Sequence, residues 1–142
     1  MYKNSGDGVA TSMSSKSELA GKGLLIVEDD PGIRETLKFA LELEGHTVFT
    51  ASDGKEGLEI LATIPKPCLI LLDLMMPVMN GWEFAEVIEK DEILSSIPVV
   101  VLTAFADKAK TIRAQGVIIK PVDLDLLSKT INHWCGDPTE HQ

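Results

Sequence analysis

Asp73 stands where a carboxylate is costly. It closes the apolar run Cys68–Leu72 and opens the loop-like stretch Leu74–Gly81, which carries Pro77, Asn80 and Gly81. A charge at the end of a buried strand needs partners, because burying it unpaired costs far more than one hydrogen bond returns. The sequence supplies them. The apolar run Leu24–Val27 ends in Glu28, Asp29 and Asp30; Val99–Leu102 ends in Thr103; Val117–Ile119 ends in Lys120 and Pro121. Four apolar segments therefore each finish in polar groups. If they are parallel strands of one sheet, these groups meet at one edge.

The chemistry follows from the residue types. Glu28, Asp29 and Asp73 form an oxygen-only acidic set with neither His nor Cys, which suits a hard cation, Mg²⁺ above all. Lys120 adds an ammonium and Thr103 a hydroxyl. A cation, an ammonium and a hydroxyl around one carboxylate would stabilise a phosphoryl group on it, with Asp73 as the nucleophile. Taken singly, each residue reads more simply: Glu28 and Asp29 as turn residues or caps, Thr103 as a strand-end hydroxyl, Lys120 as a solvated loop residue. Their recurrence at four strand ends favours the joint reading. Asp30 reads as a helix cap, the methionines at 75, 76 and 79 as loop packing, and Trp82 as packing at a helix start.

Alternating elements must position these groups. Strands are predicted at Leu24–Val27, Thr47–Thr50, Leu69–Leu72, Val99–Leu102 and Val117–Ile119. Between them, Pro31 to Glu44 reads as a helix with Ile33, Leu37, Ala40 and Leu41 on one face, stopped by Gly45. Asp53 caps a second helix to about Thr63, with Leu58 and Leu61 inward. A third runs from Gly81 to about Lys90, with Phe84, Val87 and Ile88 facing the sheet. Residues 107–114 form a short helix. Asp123 caps a last one, with Leu124, Leu127, Ile131 and Trp134 on one stripe. Continuous Val/Ile/Leu strands alternating with amphipathic helices imply an α/β, doubly wound, five-stranded parallel sheet covered on both faces. Ligands of such sheets lie beyond the carboxyl ends of the strands.

The bulk properties narrow the function. The chain has 142 residues, 44% hydrophobic, enough for one domain with a real core. Its net charge of −9 disfavours direct binding to nucleic acid or an anionic membrane. No apolar run approaches the ~18 residues of a membrane span, and the N-terminus lacks a signal-peptide core, so a cytoplasmic location is the default expectation. Residues 1–22, rich in Ser, Gly and Lys, read as a flexible tail or linker; 23–134 form the domain and 135–142 a C-terminal tail. Cys68 and Cys135 show no ligand spacing and read as a core residue and a terminal thiol. His46, His133 and His141 read as surface residues.

These residues, in this order, resemble the receiver domain of bacterial two-component response regulators: Glu28-Asp29-Asp30 after the first strand, Asp73 followed by Met-Met-Pro-Val-Met-Asn-Gly, Thr103-Ala104, and Lys120-Pro121. The resemblance covers about residues 23–134. It implies the sheet order 2-1-3-4-5 and Asp73 as phosphoacceptor, supplied by a histidine kinase or histidine phosphotransfer protein. It implies Mg²⁺ held by Asp29, Asp73 and the backbone carbonyl of Met75, with Glu28 acting through water. Thr103 becomes the switch hydroxyl and Lys120 the phosphoryl partner, joined to Pro121 by a cis peptide. The chain would then be no enzyme beyond its own phosphorylation and dephosphorylation. Its output would be a contact with a downstream protein target, either as a stand-alone regulator or as a receiver from a larger protein.

Three departures from the family pattern carry expectations of their own. Val117 replaces the usual aromatic switch residue. The short interval from Thr103 to Lys120 predicts a stunted or irregular helix and an altered output surface. Phe105 and Met75 cannot orient an attacking water, which predicts a long-lived phosphoryl group. Among alternatives, a Mg²⁺-dependent phosphatase of the haloacid-dehalogenase type would need an Asp at Met75. A flavodoxin-like cofactor binder would need a phosphate loop where Glu28, Asp29 and Asp30 repel one. A docking module that never takes phosphate must explain why every phosphorylation residue is present.

Overall fold

A computed structural model describes residues 23–138. The expected tail over 1–22 and His141 lie outside the described residues. Five strands, β1 (Gly23–Val27), β2 (Thr47–Ala51), β3 (Leu69–Asp73), β4 (Val99–Thr103) and β5 (Gly116–Ile119), form one parallel sheet in the order β2-β1-β3-β4-β5. This is the expected order. The register pairs Val27 with Leu72, Asp73 with Leu102 and Thr103 with Ile119. The carboxyl ends of β1, β3, β4 and β5 are thereby level.

Four α-helices connect and cover the strands: α1 (Pro31–Leu43), α2 (Gly54–Leu61), α3 (Gly81–Lys90) and α4 (Leu124–Cys135). Their starts are written in the sequence. Asp30 and Asp53 accept hydrogen bonds from the amides of Ile33 (3.0 Å) and Glu56 (2.8 Å). Asn80 and Glu83 form a reciprocal capping box on α3. Asp123 caps α4. Gly45, at φ 101°, turns the chain out of α1 in a conformation that side chains other than glycine resist.

Alternation along the strands builds two cores. Leu24, Ile26, Leu69, Leu71, Val100 and Leu102 pack under α1 and α4 against Leu37, Leu41, Leu127 and Ile131. Leu25, Val27, Ile70, Leu72 and Val99 pack under α2 and α3 against Leu61, Phe84 and Ile88. Central strands buried on both faces need residues that are apolar throughout, which is why β1, β3 and β4 are continuous Val/Ile/Leu runs. Val87, Leu124 and Trp134 do not join these cores; all three are substantially exposed. Val87 and Trp134 lie at the margins of their stripes, and Leu124 is the first residue of α4, beyond which no further turn covers it.

Between β4 and β5 there is only a 3-10 segment, Ala106–Thr111. The expected stunted helix is thus shorter still and not α-helical. It covers Val101 through Ala109 but leaves Val117 and Ile119 of β5 43% and 47% exposed. Trp82 packs beside this segment and donates its indole N–H to Thr111 Oγ1 at 2.8 Å, a packing role as expected.

Two further expectations are overturned. Cys68 and Cys135 form a disulfide across 67 residues, with Cα atoms 5.3 Å apart. Sequence spacing does not show this pairing; the topology creates it. A helix that follows a parallel strand and packs on the sheet runs back against it, so the end of α4 returns to the amino end of β3. Cys135 is therefore the last residue of α4 rather than the start of a tail. His46, read as a surface residue, is buried at the α1–β2 turn with no hydrogen bond to Nε2.

Candidate functional site

The expected groups converge. Glu28, Asp29, Asp73, Met75, Thr103 and Lys120 all line one cleft of about 400 Å³ at the carboxyl edge of the sheet. Each carboxylate of Glu28, Asp29 and Asp73 offers an oxygen within 4.8 Å of the others. Glu28 and Asp73 are buried and Asp29 is more open to solvent. Lys120 Nζ lies 2.8 Å from Glu28 Oε1 and 3.4 Å from Asp73 Oδ1. The Lys120–Pro121 peptide is cis.

The backbone fixes each group. Asp73 ends β3 in the centre of the sheet, and Gly81 holds the loop that follows. The Gly81 N–H donates to Leu74 O at 2.9 Å. A Cβ on Gly81 would stand 2.6 Å from Asp73 O and 2.8 Å from Leu74 Cα, so only glycine lets α3 start this close to β3. Val78, within the same loop, sits at φ 67° with Met79 N–H donating to Pro77 O at 2.7 Å, a strained γ-turn for a β-branched residue. Lys120 follows β5 and is anchored by its N–H on Thr103 O at 2.8 Å. The Thr103 hydroxyl is engaged locally. It accepts from the Phe105 N–H at 3.0 Å and donates weakly to Phe105 O at 3.4 Å.

Arg34 belongs to this site although the sequence reading passed over it. Its Nη1 donates to Glu28 O at 2.8 Å and to Asp29 O at 3.3 Å, bracing the β1–α1 loop that carries both carboxylates. The signal was available: helical side chains lean towards the helix N-terminus, so a long cation in the first turn of α1 reaches back over the preceding loop.

The electrostatics are unbalanced. Burial and the charge of Glu28 push the Asp73 pKa up from 3.8 to about 7, with Lys120 opposing them. For Lys120, burial pulls the pKa down, but the close carboxylate of Glu28 and the charge of Asp73 outweigh it, leaving the value raised. One ammonium thus faces three carboxylates. Glu28 Oε1 is close to Lys120 yet has no well-formed hydrogen bond. An oxygen-only set with excess negative charge and an under-satisfied buried oxygen fits a hard divalent cation.

A family model described as the response regulator receiver domain matches residues 24–132. The chain belongs to that family. This receiver domain is 39% identical over 114 residues to Protein PilH of Pseudomonas aeruginosa, across 77% of this chain and 93% of that one. It is 34% identical over 113 residues to the transcriptional regulatory protein AfsQ1 of Streptomyces coelicolor, across 76% of this chain but only 48% of that regulator. Among solved structures it is similar to the receiver domain of sensor histidine kinase PA1611 from Pseudomonas aeruginosa, with TM-score 0.75 and 25% identity. The match covers 82% of this chain and 99% of that one, and that domain has magnesium coordinated in its active site cleft. Receiver domains are signalling modules of two-component systems, and the fold and family of this one agree with the expectation from its motifs. No helix among the described residues is long and apolar enough to cross a membrane.

Proposed function

We propose that Asp73 is the phosphoacceptor of this receiver domain, taking a phosphoryl group from a phosphohistidine on a kinase or phosphotransfer protein. The observation that carries the proposal is the placement of one buried aspartate, at the end of the central strand, beside Lys120 and two further carboxylates in an open cleft. Asp29, Asp73 and the Met75 carbonyl would hold Mg²⁺, with Glu28 assisting through water. The bound ion would supply charge neutralisation at the carboxylate cluster.

The chain's own residues do the rest. The ionised Asp73 carboxylate attacks phosphorus, the bond from phosphorus to the donor nitrogen breaks, and the imidazole leaves with a proton from solvent. Lys120 then exchanges its contact with Asp73 for one with a phosphoryl oxygen, because the carboxylate loses its negative charge on forming the acyl phosphate. Thr103 leaves the backbone of Phe105 and turns its hydroxyl to the new acceptor. That movement frees the Phe105 amide and passes the change into the 106–111 segment, next to exposed Val117 and Ile119. A mostly apolar cleft of about 480 Å³ adjoins the site and shares Asp30, Ile33 and Lys120 with it, giving a donor protein a surface beside Asp73. Phe105 and Met75 offer no group to orient a hydrolytic water, so the phosphoryl group persists. Output goes to a downstream protein target. A second reading, a docking module that never takes phosphate, has no specific observation in its favour.

The test is transfer from a phosphohistidine-bearing phosphotransfer protein with Mg²⁺, followed by hydroxylamine trapping and peptide mapping. Hydroxamate at Asp73 supports the reading. Hydroxamate elsewhere, or none while a known receiver is labelled in parallel, refutes it.

A further inference from the structure

The Cys68–Cys135 pair lies at the opposite end of β3 from Asp73, and nothing in the phosphoacceptor chemistry uses it. Its surroundings differ from those of a simple staple in three respects. First, α4 does not need it for docking. Leu127 and Ile131 are fully buried and hold the first turns on the sheet, whereas beyond Ile131 the helix presents exposed His133 and Trp134. Second, the two residues are unequally buried. Cys68 is buried among the core residues, whereas Cys135, packed against the same core, is only partly buried at the helix end, next to Gly136. Third, the reduced state is already provided for. Cys68 Sγ lies 3.1 Å from Gly23 O, so a thiol there has a ready acceptor for its proton and otherwise packs as a small apolar side chain.

We propose that Cys68 and Cys135 form a reversible thiol–disulfide site whose substrates are small thiols and disulfides of the glutathione class. The thiolate of a small monothiol attacks Sγ of Cys135, the less buried residue of the pair. The bond to Cys68 breaks, and Cys68 leaves as a thiolate, takes a proton from solvent and donates it to Gly23 O. A second monothiol attacks the mixed disulfide and frees Cys135. The balance is one protein disulfide and two small thiols giving two protein thiols and one small disulfide. Reduction releases the last turn of α4 and the residues after it. Those residues include Pro138, which packs so closely on the α1–β2 turn that a Cβ on Gly45 would stand 3.3 Å from its ring. The site thereby sets the position of residues 136–138 independently of Asp73.

The full chain carrying Trp82→Phe keeps Trp134 as its sole tryptophan, next to Cys135. It is equilibrated in glutathione buffers from fully oxidised to fully reduced, trapped with a maleimide and weighed intact. The expected result is a bonded species and a doubly labelled species that interconvert without denaturant. Trp134 emission should follow the labelled fraction, and Cys135→Ser in the same background should show the reduced emission at every ratio. Far-UV circular dichroism should stay folded throughout. A pair that remains bonded in excess reduced glutathione until denaturant is added, or never bonds in excess oxidised glutathione, overturns the proposal. So does a Trp134 response that survives in Cys135→Ser. None of these readouts depends on whether Asp73 takes phosphate.

Discussion

Replacing Lys120 with Met tests the electrostatics of the site without reference to its reaction. The ammonium is only 18% exposed, lies 2.8 Å from the fully buried Glu28 and 3.4 Å from Asp73, and is the one cation among the described residues contacting either carboxylate. At an effective dielectric of about 20, charges as close as Nζ and Glu28 Oε1 attract by about 6 kcal/mol. Desolvation cancels most of that while the pair is intact. Removing one partner strands the other, and buried pairs broken this way lose roughly 3–5 kcal/mol. Two features soften the loss here. Glu28 Oε2 still accepts the Asp30 N–H at 3.1 Å, and Asp73 can take up a proton. We therefore expect Lys120→Met to lose about 2–4 kcal/mol in chelator at neutral pH, a fall in Tm of roughly 10 °C for a domain of this size. The assay is thermal unfolding by circular dichroism. Mg²⁺ and mild acid should each narrow the gap, and Glu28→Gln with Lys120→Met should recover more than half of it. A single variant that melts within about 2 °C of the parent in chelator would refute the buried-pair reasoning.

Two further perturbations have opposite signs. In chelator, the folded Asp73 carboxyl binds its proton more tightly than the unfolded one, so the domain loses stability as pH rises from about 4 to 7. The full shift corresponds to about 4 kcal/mol, and water in the open cleft screens part of it. Asp73→Asn should then be more stable than the parent by about 1–2 kcal/mol above pH 7, with the difference vanishing near pH 4 in urea melts. Gly81→Ala forces a methyl onto the Asp73 carbonyl, and should cost roughly 1–3 kcal/mol and depress Mg²⁺-dependent phosphorylation. Gly116→Ala, whose methyl would meet nothing closer than 3.7 Å, should change neither.

The sequence was most legible where one residue type has one physical use. Apolar runs with no polar interruption meant strands buried on both faces, and parallel strands forced their polar ends together. Glu28, Asp29, Asp73, Thr103 and Lys120 could therefore be placed in one cleft before any coordinates. Caps at Asp30, Asp53 and Asp123 occupy helix starts because short polar side chains satisfy free amides there. What escaped depended on three-dimensional proximity. The Cys68–Cys135 bond comes from the return path of α4, which no spacing rule encodes. The burial of His46 comes from the turn it sits in, and the exposure of Val87 and Trp134 from their place at the margin of each helix's apolar stripe. Arg34 lay between these cases, a local contact that a closer reading of side-chain direction would have found.

The central claim is most directly tested by intact mass after incubation with Mg²⁺ and acetyl phosphate, with Asp73→Asn and a chelator control alongside. A gain of one phosphoryl group in the parent, absent from Asp73→Asn and from the chelated sample, is the predicted result. An unmodified parent under conditions that label another receiver, or an Asp73→Asn variant labelled as fully as the parent, would contradict it.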